Sequence, residues 1–473
     1  MVTYDQPLLC LYGRRKKMNL KYFFRREDDF KPGIYKHTVD FPDGGYRRMH
    51  LRVENDLNGI FWLNGNESFY LNESAAFFTW LIMNQKSTRE VKRLIRNRFG
   101  TAAVHAEADF EKFKPLMQEI LEGKAGAEEL CESGIDLITP FSKIPDAPYR
   151  MDLALTYLCN NNCAHCYNEP GRGKNALTPE QWKQVLDKLD EIAIPHVVFT
   201  GGEPTVVSYL TDLVRYAGQL GIVSGLNTNG RLLRNESLTE GLAAASLDHV
   251  QVTLESVDPE IHDAMVGAKG AWDETVAGIK TAVRHHIHIN TNTTLLTHNA
   301  SVEAINRLSD FLAELGVMTF GLNALICSGK GKEVDSAIHT DRLQELLDAA
   351  KSAAERNGQR LLWYTPTQYC HFDPVTTGIG YKSCSAAKYS MCIEPDGNVL
   401  PCQSWYEPVG NILTDEWNAI WNHPLCLRLR NKEYMPALCG ECSSRDLCTC
   451  GCPLEAERNG ADIHPRIVFP DCF

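Results

Sequence analysis

Six short β-like segments alternate with helical patterns between residues 149 and 329, and this alternation constrains the fold more than any other feature of the chain. The segments are "YRMDLALTY", "PHVVFT", "GIVSGLNTN", "LDHVQVTLE", "IHINTNTTLL" and "GVMTFGLNA". Strands that alternate with helices form parallel sheets, because each helix returns the chain to the starting edge. The predicted fold class is therefore α/β, with a partial barrel of six β/α units.

A loop with three cysteines follows the first of these strands. In "LCNNNCAHCYNEPG", Cys159, Cys163 and Cys166 have C-x3-C-x2-C spacing, and Tyr167 follows directly. Chemistry on such folds collects at the carboxyl ends of the strands, where this loop lies. A structural zinc site needs four ligands, whereas a [4Fe-4S] cluster held by three thiolates keeps one iron open. Zinc and unconnected thiols remain alternatives for the loop taken alone.

The composition of the chain indicates the cellular compartment in which these thiols occur. No stretch approaches the roughly 18 continuous apolar residues of a membrane span. The weak apolar patch near the N-terminus is followed by a basic run, whereas in a signal peptide the basic residues come first. We therefore expect a cytoplasmic protein without membrane association. The chain has 17 cysteines, and clustered thiols in a reducing compartment indicate metal binding or redox work. A formal net charge of -12 predicts no nucleic-acid binding.

A second motif follows the second strand. "VVFTGGEP" places Gly201, Gly202 and Glu203 at the strand end, where paired glycines allow close backbone approach and a carboxylate can bind an ammonium group. Two glycines at a strand end are usually only a turn. One strand after a three-cysteine loop, they indicate a binding site.

With both motifs present, the chain resembles the radical S-adenosylmethionine (SAM) enzymes. In that family the open iron chelates the amine and carboxylate of SAM, and the reduced cluster cleaves SAM to a 5'-deoxyadenosyl radical that abstracts a substrate hydrogen. The resemblance implies that Cys159, Cys163 and Cys166 hold the cluster. It also implies SAM contacts: Tyr167 near the adenine, Gly201, Gly202 and Glu203 at the methionine amine, and Asn227 and Thr253 on the next two strands.

The resemblance is looser in the later strands. "NTNG" ends the third strand as in the family, but the common S-L-D-G on the fourth strand is here Thr253, Leu254, Glu255 and Ser256. In "HDAMVGAKGAW", Val266 stands where an arginine is frequent. The partner of the SAM carboxylate is therefore left open. Lys269 is a candidate, although an exposed lysine is more often merely solvated.

The remaining cysteines concentrate near the C-terminus. "CSAAKYSMCIEPDGNVLPC" has C-x12-G-x4-C spacing, and "CGECSSRDLCTCGC" has C-x2-C-x5-C-x3-C spacing. Both resemble the SPASM extension of radical SAM enzymes, which carries two auxiliary [4Fe-4S] clusters, while a zinc ribbon is the alternative for the CxxC pair. The family pattern implies two ligand sets: Cys439, Cys442, Cys448 and Cys472 for the outer cluster, and Cys384, Cys402 and Cys452 for the inner one.

The motif leaves the fourth ligand of the inner cluster open. "EPDGN" predicts a hairpin loop with its glycine in the left-handed position. Pairing of Glu394 with Asn398 would set Cys392 on the same face as Cys402 and diagonal to it. We predict Cys392 as the ligand, with Cys370 or an open iron as alternatives. The other cysteines are predicted to be small apolar residues or free thiols: Cys10, Cys131, Cys327, Cys426 and Cys450.

The N-terminal region is predicted to be a separate module. "RRMHLRVE" and "GIFWLNG" are β-like and precede helical stretches that begin near Asn72, Thr88 and Ala106, a pattern typical of a winged helix. Around residues 40–125 the sequence is similar to the leader-binding recognition element of enzymes that modify ribosomally synthesised peptides (RiPPs). A generic winged helix or a structural cap is the alternative. The predicted domains are residues 1–140, the recognition module; 141–345, the radical SAM barrel; and 346–473, the SPASM domain.

These resemblances predict a radical SAM peptide maturase that installs a cross-link, such as a thioether or carbon-carbon bond, or another oxidative modification. It would use SAM, three [4Fe-4S] clusters, a precursor peptide with a leader, and an external electron donor of the flavodoxin or ferredoxin type. One alternative is a maturase of a folded protein, such as a sulfatase or a dehydrogenase subunit. Another is a non-catalytic iron-sulfur electron-transfer protein, against which the intact GGEP motif argues.

Overall fold

A computed structural model of the chain describes residues 30–41, 45–65, 67–125, 143–169, 172 and 175–459. The chain divides into two compact units. One runs from Val2 to Asp146 and includes Glu191–Pro195, and the other comprises Ala147–Asp190 and His196–Phe473. The predicted boundaries near residues 140 and 345 stay a prediction. Three predicted cysteines lie outside the described residues: Cys10, Cys131 and Cys472.

The N-terminal unit is an antiparallel sheet followed by helices, so the predicted order of strands and then helices is confirmed. Its four strands pair in the order β1-β2-β3-β4. The first and last strands were not predicted from the sequence. The first is partly exposed along its length, which weakens its alternation. The elements are β1 (Gly33–Asp40), β2 (Tyr46–Val53), β3 (Gly59–Leu63), β4 (Glu67–Leu71), α1 (Glu73–Met83), α2 (Thr88–Phe99) and α3 (Ala103–Leu121).

Local caps set the helix starts in this unit. The Asn72 side-chain oxygen accepts the Ala75 N–H at 2.9 Å at the start of α1, and Ser87 and Glu90 form a reciprocal capping box at α2. Such caps satisfy backbone donors that have no partner within the helix. Because they depend on neighbouring residues alone, the predicted starts near residues 72 and 88 are confirmed.

The second unit is built on a ten-stranded sheet in the order β11-β10-β9-β8-β7-β6-β5-β12-β13-β14. All six predicted strands, β5 to β10, are present and parallel. Strands β11 and β12 extend this parallel sheet at its two sides. The strands are β5 (Arg150–Thr156), β6 (His196–Gly201), β7 (Val223–Thr228), β8 (His249–Thr253), β9 (His288–Leu295), β10 (Thr319–Ala324), β11 (Arg360–Trp363), β12 (Ser390–Ile393), β13 (Asn398–Leu400) and β14 (Gly410–Asn411).

Helices connect the parallel strands. The first begins with the predicted capping box, in which Thr178 N donates to Gln181 Oε1 at 2.9 Å and Gln181 N donates to Thr178 Oγ1 at 3.2 Å. None of the helices that the structure describes has the length and apolar composition that a bilayer span requires. The helices are Pro179–Glu191, Leu210–Gln219, Glu236–Ala244, Pro259–Val266, Ala271–Arg284, Val302–Glu314, Leu343–Arg356, Trp417–Trp421, Pro424–Arg430, Arg445–Cys448 and Pro453–Asn459.

The two faces of the parallel sheet differ in polarity. Residues such as Leu153 and Val250 are fully buried and alternate along their strands with polar residues such as His249 and Gln251. Gln251 is in register with Asn290 on β9, and registered neighbours share one face of a sheet. One face of the parallel sheet therefore carries a series of polar side chains, whereas the other face is apolar.

Candidate functional site

The cysteine loop follows β5 and is held down by main-chain contacts. Asn162 N donates to Val266 O at 2.9 Å, and Ala164 N donates to Met265 O at 3.3 Å. At Gly267, where φ is +63°, an added Cβ would lie 2.4 Å from Asn162 O. Val266, which departs from the family pattern, thus supports the loop through its carbonyl group.

A backbone N–H group points at a sulfur atom of this loop. Cys159 Sγ accepts the Asn161 N–H at 3.3 Å. Burial raises the pKa of the Cys166 thiol, and the backbone of Asn168 lowers it. Such donors favour the thiolate and tune bound clusters. Burial acts in the opposite direction and raises the pKa of the Cys163 thiol, so cluster binding must release protons. Three thiols on one loop, with an N–H donor at the Cys159 sulfur, fit a cluster that keeps one iron open.

The two glycines of the GGEP motif allow β6 to approach the cysteine loop. A Cβ at Gly201, where φ is +135°, would lie 2.1 Å from Thr156 O, and one at Gly202 would lie 2.3 Å from Leu158 O. Gly202 N donates to Thr156 O at 2.7 Å, and Glu203 N donates to Leu158 O at 2.8 Å. The close backbone approach predicted from the sequence is therefore made to the neighbouring loop.

Glu203 is fully buried and joins the ends of β6 and β7. Its Oε1 accepts from Thr205 N at 3.0 Å, from Thr205 Oγ1 at 2.5 Å and from Thr228 Oγ1 at 2.7 Å, and its Oε2 accepts from Asn229 N at 2.7 Å. Burial raises the pKa of Glu203, whereas these bonds lower it. Each carboxylate oxygen has about two acceptor sites; Oε1 already faces three donors, whereas Oε2 has one and can accept another.

Asn227 and Thr253 lie at the carboxyl ends of β7 and β8 on the polar face of the sheet. Asn227 is in register with Gln251, and Thr253 with Asn292. Both side chains are partly exposed, while their strand neighbours are buried. The structure thus brings these two predicted SAM contacts to the same edge as the cysteine loop and Glu203.

Arg231 and Asn229 are polar neighbours of the loop that the sequence prediction missed. Asn229 Nδ2 donates to Asn160 Oδ1 at 2.6 Å, and Arg231 Nη1 donates to Asn161 Oδ1 at 2.8 Å. Lys269, the predicted candidate for the SAM carboxylate, is exposed. The sequence did contain a signal for Arg231, because a basic residue directly follows the strand-end motif "NTNG".

An ion pair between the cysteine loop and the end of β8 was also missed. His165 Nε2 lies 2.8 Å from Glu255 Oε1, and both side chains are almost completely buried. Burial lowers the pKa of His165, but the Glu255 carboxylate raises it above its usual value. Glu255 Oε2 also accepts the Thr294 N–H at 2.7 Å. The loop is thereby tied to both β8 and β9.

Tyr167 connects the cysteine loop to the C-terminal region. Its hydroxyl donates to Gln403 Oε1 at 3.3 Å, and its carbonyl accepts the Tyr406 hydroxyl at 2.5 Å. Burial raises the pKa of the Tyr167 phenol. Its place beside the adenine of SAM stays a prediction.

The C-terminal hairpin has the predicted form. Glu394 N donates to Asn398 O at 2.8 Å, and Cys392 lies opposite Leu400. This register sets Cys392 diagonal to Cys402, as expected. Cys392 is 1% exposed and lies in a small apolar cluster, so its role as the fourth inner ligand stays a prediction.

The three other thiols of the inner set influence one another. Burial raises the pKa of Cys384 well above its usual value, and the neighbouring Cys452 and Cys402 raise it further. Cys402 Sγ accepts the Ser404 N–H at 3.4 Å, and the Cys452 carbonyl accepts the Glu455 N–H at 3.1 Å. The N–H donor at sulfur seen in the first loop thus recurs at Cys402.

The described thiols of the outer set come from two short helical turns. Cys442 N donates to Cys439 O at 3.3 Å, and Cys448 Sγ accepts the Tyr369 N–H at 3.3 Å. Cys370, the alternative ligand for the inner cluster, follows Tyr369 directly and so lies beside the outer set. Among the described residues, no three His, Cys, Asp or Glu side chains converge on a single ion.

Comparison with known proteins agrees with this arrangement. The model of the radical SAM superfamily matches residues 153–312, and the model of the SPASM iron-sulfur cluster-binding domain matches residues 384–443. Mycofactocin maturase MftC of Mycobacterium ulcerans is 30% identical over 328 residues, which are 67% of this chain and 86% of that protein. The AdoMet-dependent heme synthase of Methanosarcina barkeri is 28% identical over 329 residues, 66% of this chain and 93% of that protein.

A solved structure is similar over a longer part of the chain. SuiB of Streptococcus suis, bound to its precursor peptide SuiA, superposes with a TM-score of 0.63 at 18% identity and covers 85% of this chain and 93% of that chain. Residues from Ala147 onward make up only about two thirds of the chain. The similarity of fold therefore includes part of the N-terminal unit.

We predict that Glu203→Ala weakens SAM binding while the first cluster is retained. The change removes a charge-assisted acceptor worth about 1.5–3 kcal/mol, roughly a ten- to hundredfold rise in Kd. Equilibrium dialysis of SAM with the reconstituted enzyme measures the effect, and iron content checks the cluster. Glu240→Ala, which removes an exposed carboxylate, is the matched control. Unchanged affinity in Glu203→Ala would refute the assigned role.

We also predict that Gly202→Ala impairs assembly of the first cluster. Its Cβ would meet a backbone oxygen at 2.3 Å, which a small side-chain movement cannot relieve, so the cysteine loop must shift. Anaerobic reconstitution should then give less iron per chain than in the unmodified protein. Gly241→Ala has its nearest neighbour at an ordinary 3.6 Å and should load normally. Equal iron in both variants would show that the loop tolerates the displacement.

Proposed function

Since the chain belongs to the radical SAM superfamily and carries a SPASM domain, we propose that it matures a ribosomally made precursor peptide by hydrogen abstraction. The product carries a cross-link, such as a thioether or carbon-carbon bond, or another oxidative modification. One observation carries the proposal: the three-cysteine loop, the GGEP motif and the polar face of the sheet meet at one edge of the sheet. The similarity to the mycofactocin maturase MftC supports the proposal, as does the similarity of fold to SuiB, whose structure was solved with a bound precursor peptide.

The residues at this edge have separate tasks. Cys159, Cys163 and Cys166 hold the first [4Fe-4S] cluster, which supplies reductive cleavage of SAM to a 5'-deoxyadenosyl radical when both are bound. Glu203 accepts the SAM ammonium at Oε2 while its other bonds keep β6 and β7 in place. The remaining predicted SAM contacts are Tyr167, Gly201, Gly202, Asn227 and Thr253.

The C-terminal cysteines hold two auxiliary [4Fe-4S] clusters, which makes three in total. The inner set is adjacent to the barrel, because β12 pairs with β5 and carries Cys392 in register with Asp152. A cluster held by these thiols would be able to relay electrons between the substrate site and an external carrier. We expect a flavodoxin- or ferredoxin-type donor, as suits a cytoplasmic enzyme.

The N-terminal unit captures the leader of the precursor. Its sheet has two edge strands, and the side chains of β1 are partly exposed along the whole strand, so β1 can accept an extended peptide as an added strand. Tethering then raises the effective concentration of the core peptide at the radical site. The superposition with SuiB includes part of this unit, and SuiB was solved with its precursor peptide bound. This similarity supports a role of the N-terminal unit in precursor binding.

Metal content provides the first test of this assignment. Anaerobic reconstitution should give about 12 iron atoms per chain if all three clusters have four irons. Replacing Cys159, Cys163 and Cys166 with alanine should remove about four irons and abolish 5'-deoxyadenosine formation. Iron analysis and chromatography of the SAM products measure both effects. Zinc in the C-terminal region, with only about four irons in the intact chain, would contradict the SPASM assignment.

Leader capture is tested by deleting residues 1–140 and, separately, by removing the leader from the precursor. SAM cleavage should persist in the truncated enzyme, because the cysteine loop and GGEP lie beyond the deletion. Both changes should lower precursor modification sharply at micromolar concentration. Modification should partly recover at millimolar precursor, on the order of the effective concentration of a short flexible tether. Mass spectrometry of the precursor is the measurement.

Undiminished modification by the truncated enzyme would exclude leader capture. The maturase of a folded protein, such as a sulfatase or a dehydrogenase subunit, would then become the better assignment. A chain that binds all its clusters but never forms 5'-deoxyadenosine would instead support the non-catalytic electron-transfer protein.

A further inference from the structure

The second helix of the N-terminal unit, α2, presents a strongly basic face to solvent. Arg89, Lys92, Arg93 and Arg96 are all exposed, and they line a recess in the molecular surface. The chain as a whole is acidic, with a formal net charge of -12. The concentration of positive charge on one helix is therefore a local feature that the composition of the chain does not explain.

Most of this positive charge is not neutralised by neighbouring side chains. Arg96 donates to Glu107 at 3.2 Å and is still 67% exposed. The acidic residue of the helix itself, Glu90, bonds to the N-cap residue in the capping box. Within the part of the chain that the structure describes, the other three basic side chains form no ion pair or hydrogen bond. Three charges of the basic face are thus available to a partner.

The spacing of these charges lowers the stability of the helix. Arg89 and Arg93 are four positions apart, as are Lys92 and Arg96, and like charges at this spacing face each other and repel. Arg89 also lies in the first turn, where the helix dipole disfavours a cation. Packing does not account for these residues, because a different face of α2 is buried in the unit. A bound anionic partner would offset the repulsion.

A peptide segment rich in carboxylates fits this face. From Arg89 to Arg96 the helix rises about 10 Å, at about 1.5 Å per residue, and an extended peptide covers this length with about three residues. Guanidinium groups bind carboxylates through paired hydrogen bonds. A nucleic acid is the less suitable polyanion, because the net charge of -12 on the whole chain repels its phosphates.

We propose that the basic face of α2 binds an acidic segment of the precursor's leader. The proposal rests on the proposed function, in which the N-terminal unit captures the leader, and adds the chemistry that this unit recognises. Main-chain hydrogen bonds to the edge strand β1 supply affinity but little selectivity, because every peptide offers them. Charge pairing on α2 selects leaders that are rich in carboxylates, and the attraction between the charges also speeds their encounter with the unit.

The test compares two triple variants of the full chain that lose the same total charge. The first removes the three charges without an ion pair: Arg89→Gln, Lys92→Gln and Arg93→Gln. The control removes three exposed basic residues elsewhere: Lys112→Gln, Lys280→Gln and Arg307→Gln. Fluorescence anisotropy measures the Kd of a labelled glutamate-rich peptide at low and at physiological salt. The same peptide with glutamine in place of glutamate, and a labelled DNA duplex, are the competing probes.

We expect the α2 variant to bind the glutamate-rich peptide roughly tenfold more weakly than the control at low salt, with a smaller difference at higher salt because the charges are screened. Its thermal unfolding temperature should equal or exceed that of the unmodified chain, since repulsive pairs are removed, which excludes misfolding as the cause. Equal affinity in the two variants would overturn the proposal. Tighter binding of the glutamine peptide or of DNA would also overturn it.

Precursor modification, followed by mass spectrometry, distinguishes the leader from an acidic electron donor. With a chemical reductant, the α2 variant should show a raised KM for the precursor, while its SAM cleavage without peptide should match the control. A defect that occurs only with a flavodoxin-type donor would assign the face to that donor and overturn the proposal. If the glutamate-rich peptide binds normally but the intact chain forms no 5'-deoxyadenosine, the proposed function fails and the basic face stands as a site for acidic peptides.

Discussion

The close main-chain contact between the GGEP motif and the cysteine loop is the constraint on which the site depends. Two N–H···O bonds, from Gly202 to Thr156 and from Glu203 to Leu158, join β6 to the segment that leads into the thiols. Neither glycine position has room for a Cβ, so the contact is available only to glycine. On its other side the loop is fixed by Gly267, which again approaches its backbone too closely for a side chain. The cysteine loop is thus positioned by main-chain contacts on both of its sides.

Electrostatic effects at the site oppose one another in a way that suits a bound cluster and a charged ligand. Burial raises the pKa of Cys163 and of Glu203 and so disfavours their ionised forms. Donors counter this effect: three N–H and O–H neighbours address one Glu203 oxygen, and N–H groups address sulfurs such as that of Cys159. The hydrogen-bond donors of the site therefore stabilise the anionic forms of these groups, and a bound cation would balance their negative charge. A cationic cluster core and the SAM ammonium are the charges that such a site favours.

The sequence predicts the features of this protein that depend on local pattern. The six parallel strands follow from alternation, the helix start at Thr178 from its capping box, and the pairing of Glu394 with Asn398 from a glycine turn. What it misses are pairs set by tertiary structure. His165 and Glu255 are separated by 90 positions, and no local rule relates them. The hydrogen bonds of Glu203 and the half-buried strand β1 were missed for the same reason, since both are decided by the neighbours that the fold brings.

The pairing of β12 with β5 places the first cysteine loop and the cysteines of the C-terminal hairpin on one continuous sheet. Strand β12 adds to the barrel sheet at β5, so the hairpin that carries Cys392 and Cys402 belongs to the same sheet as the strand that leads into the first cysteine loop. Tyr157 at the end of β5 donates to Glu394 of the hairpin at 2.8 Å, and Tyr406 donates to the Tyr167 carbonyl. A continuous hydrogen-bonded sheet fixes the distance between two groups far better than a flexible linker does. The sheet therefore fixes the spacing between the first cysteine loop and the hairpin that carries Cys392 and Cys402, which are the two segments that the proposed function assigns to the SAM-binding cluster and the inner auxiliary cluster.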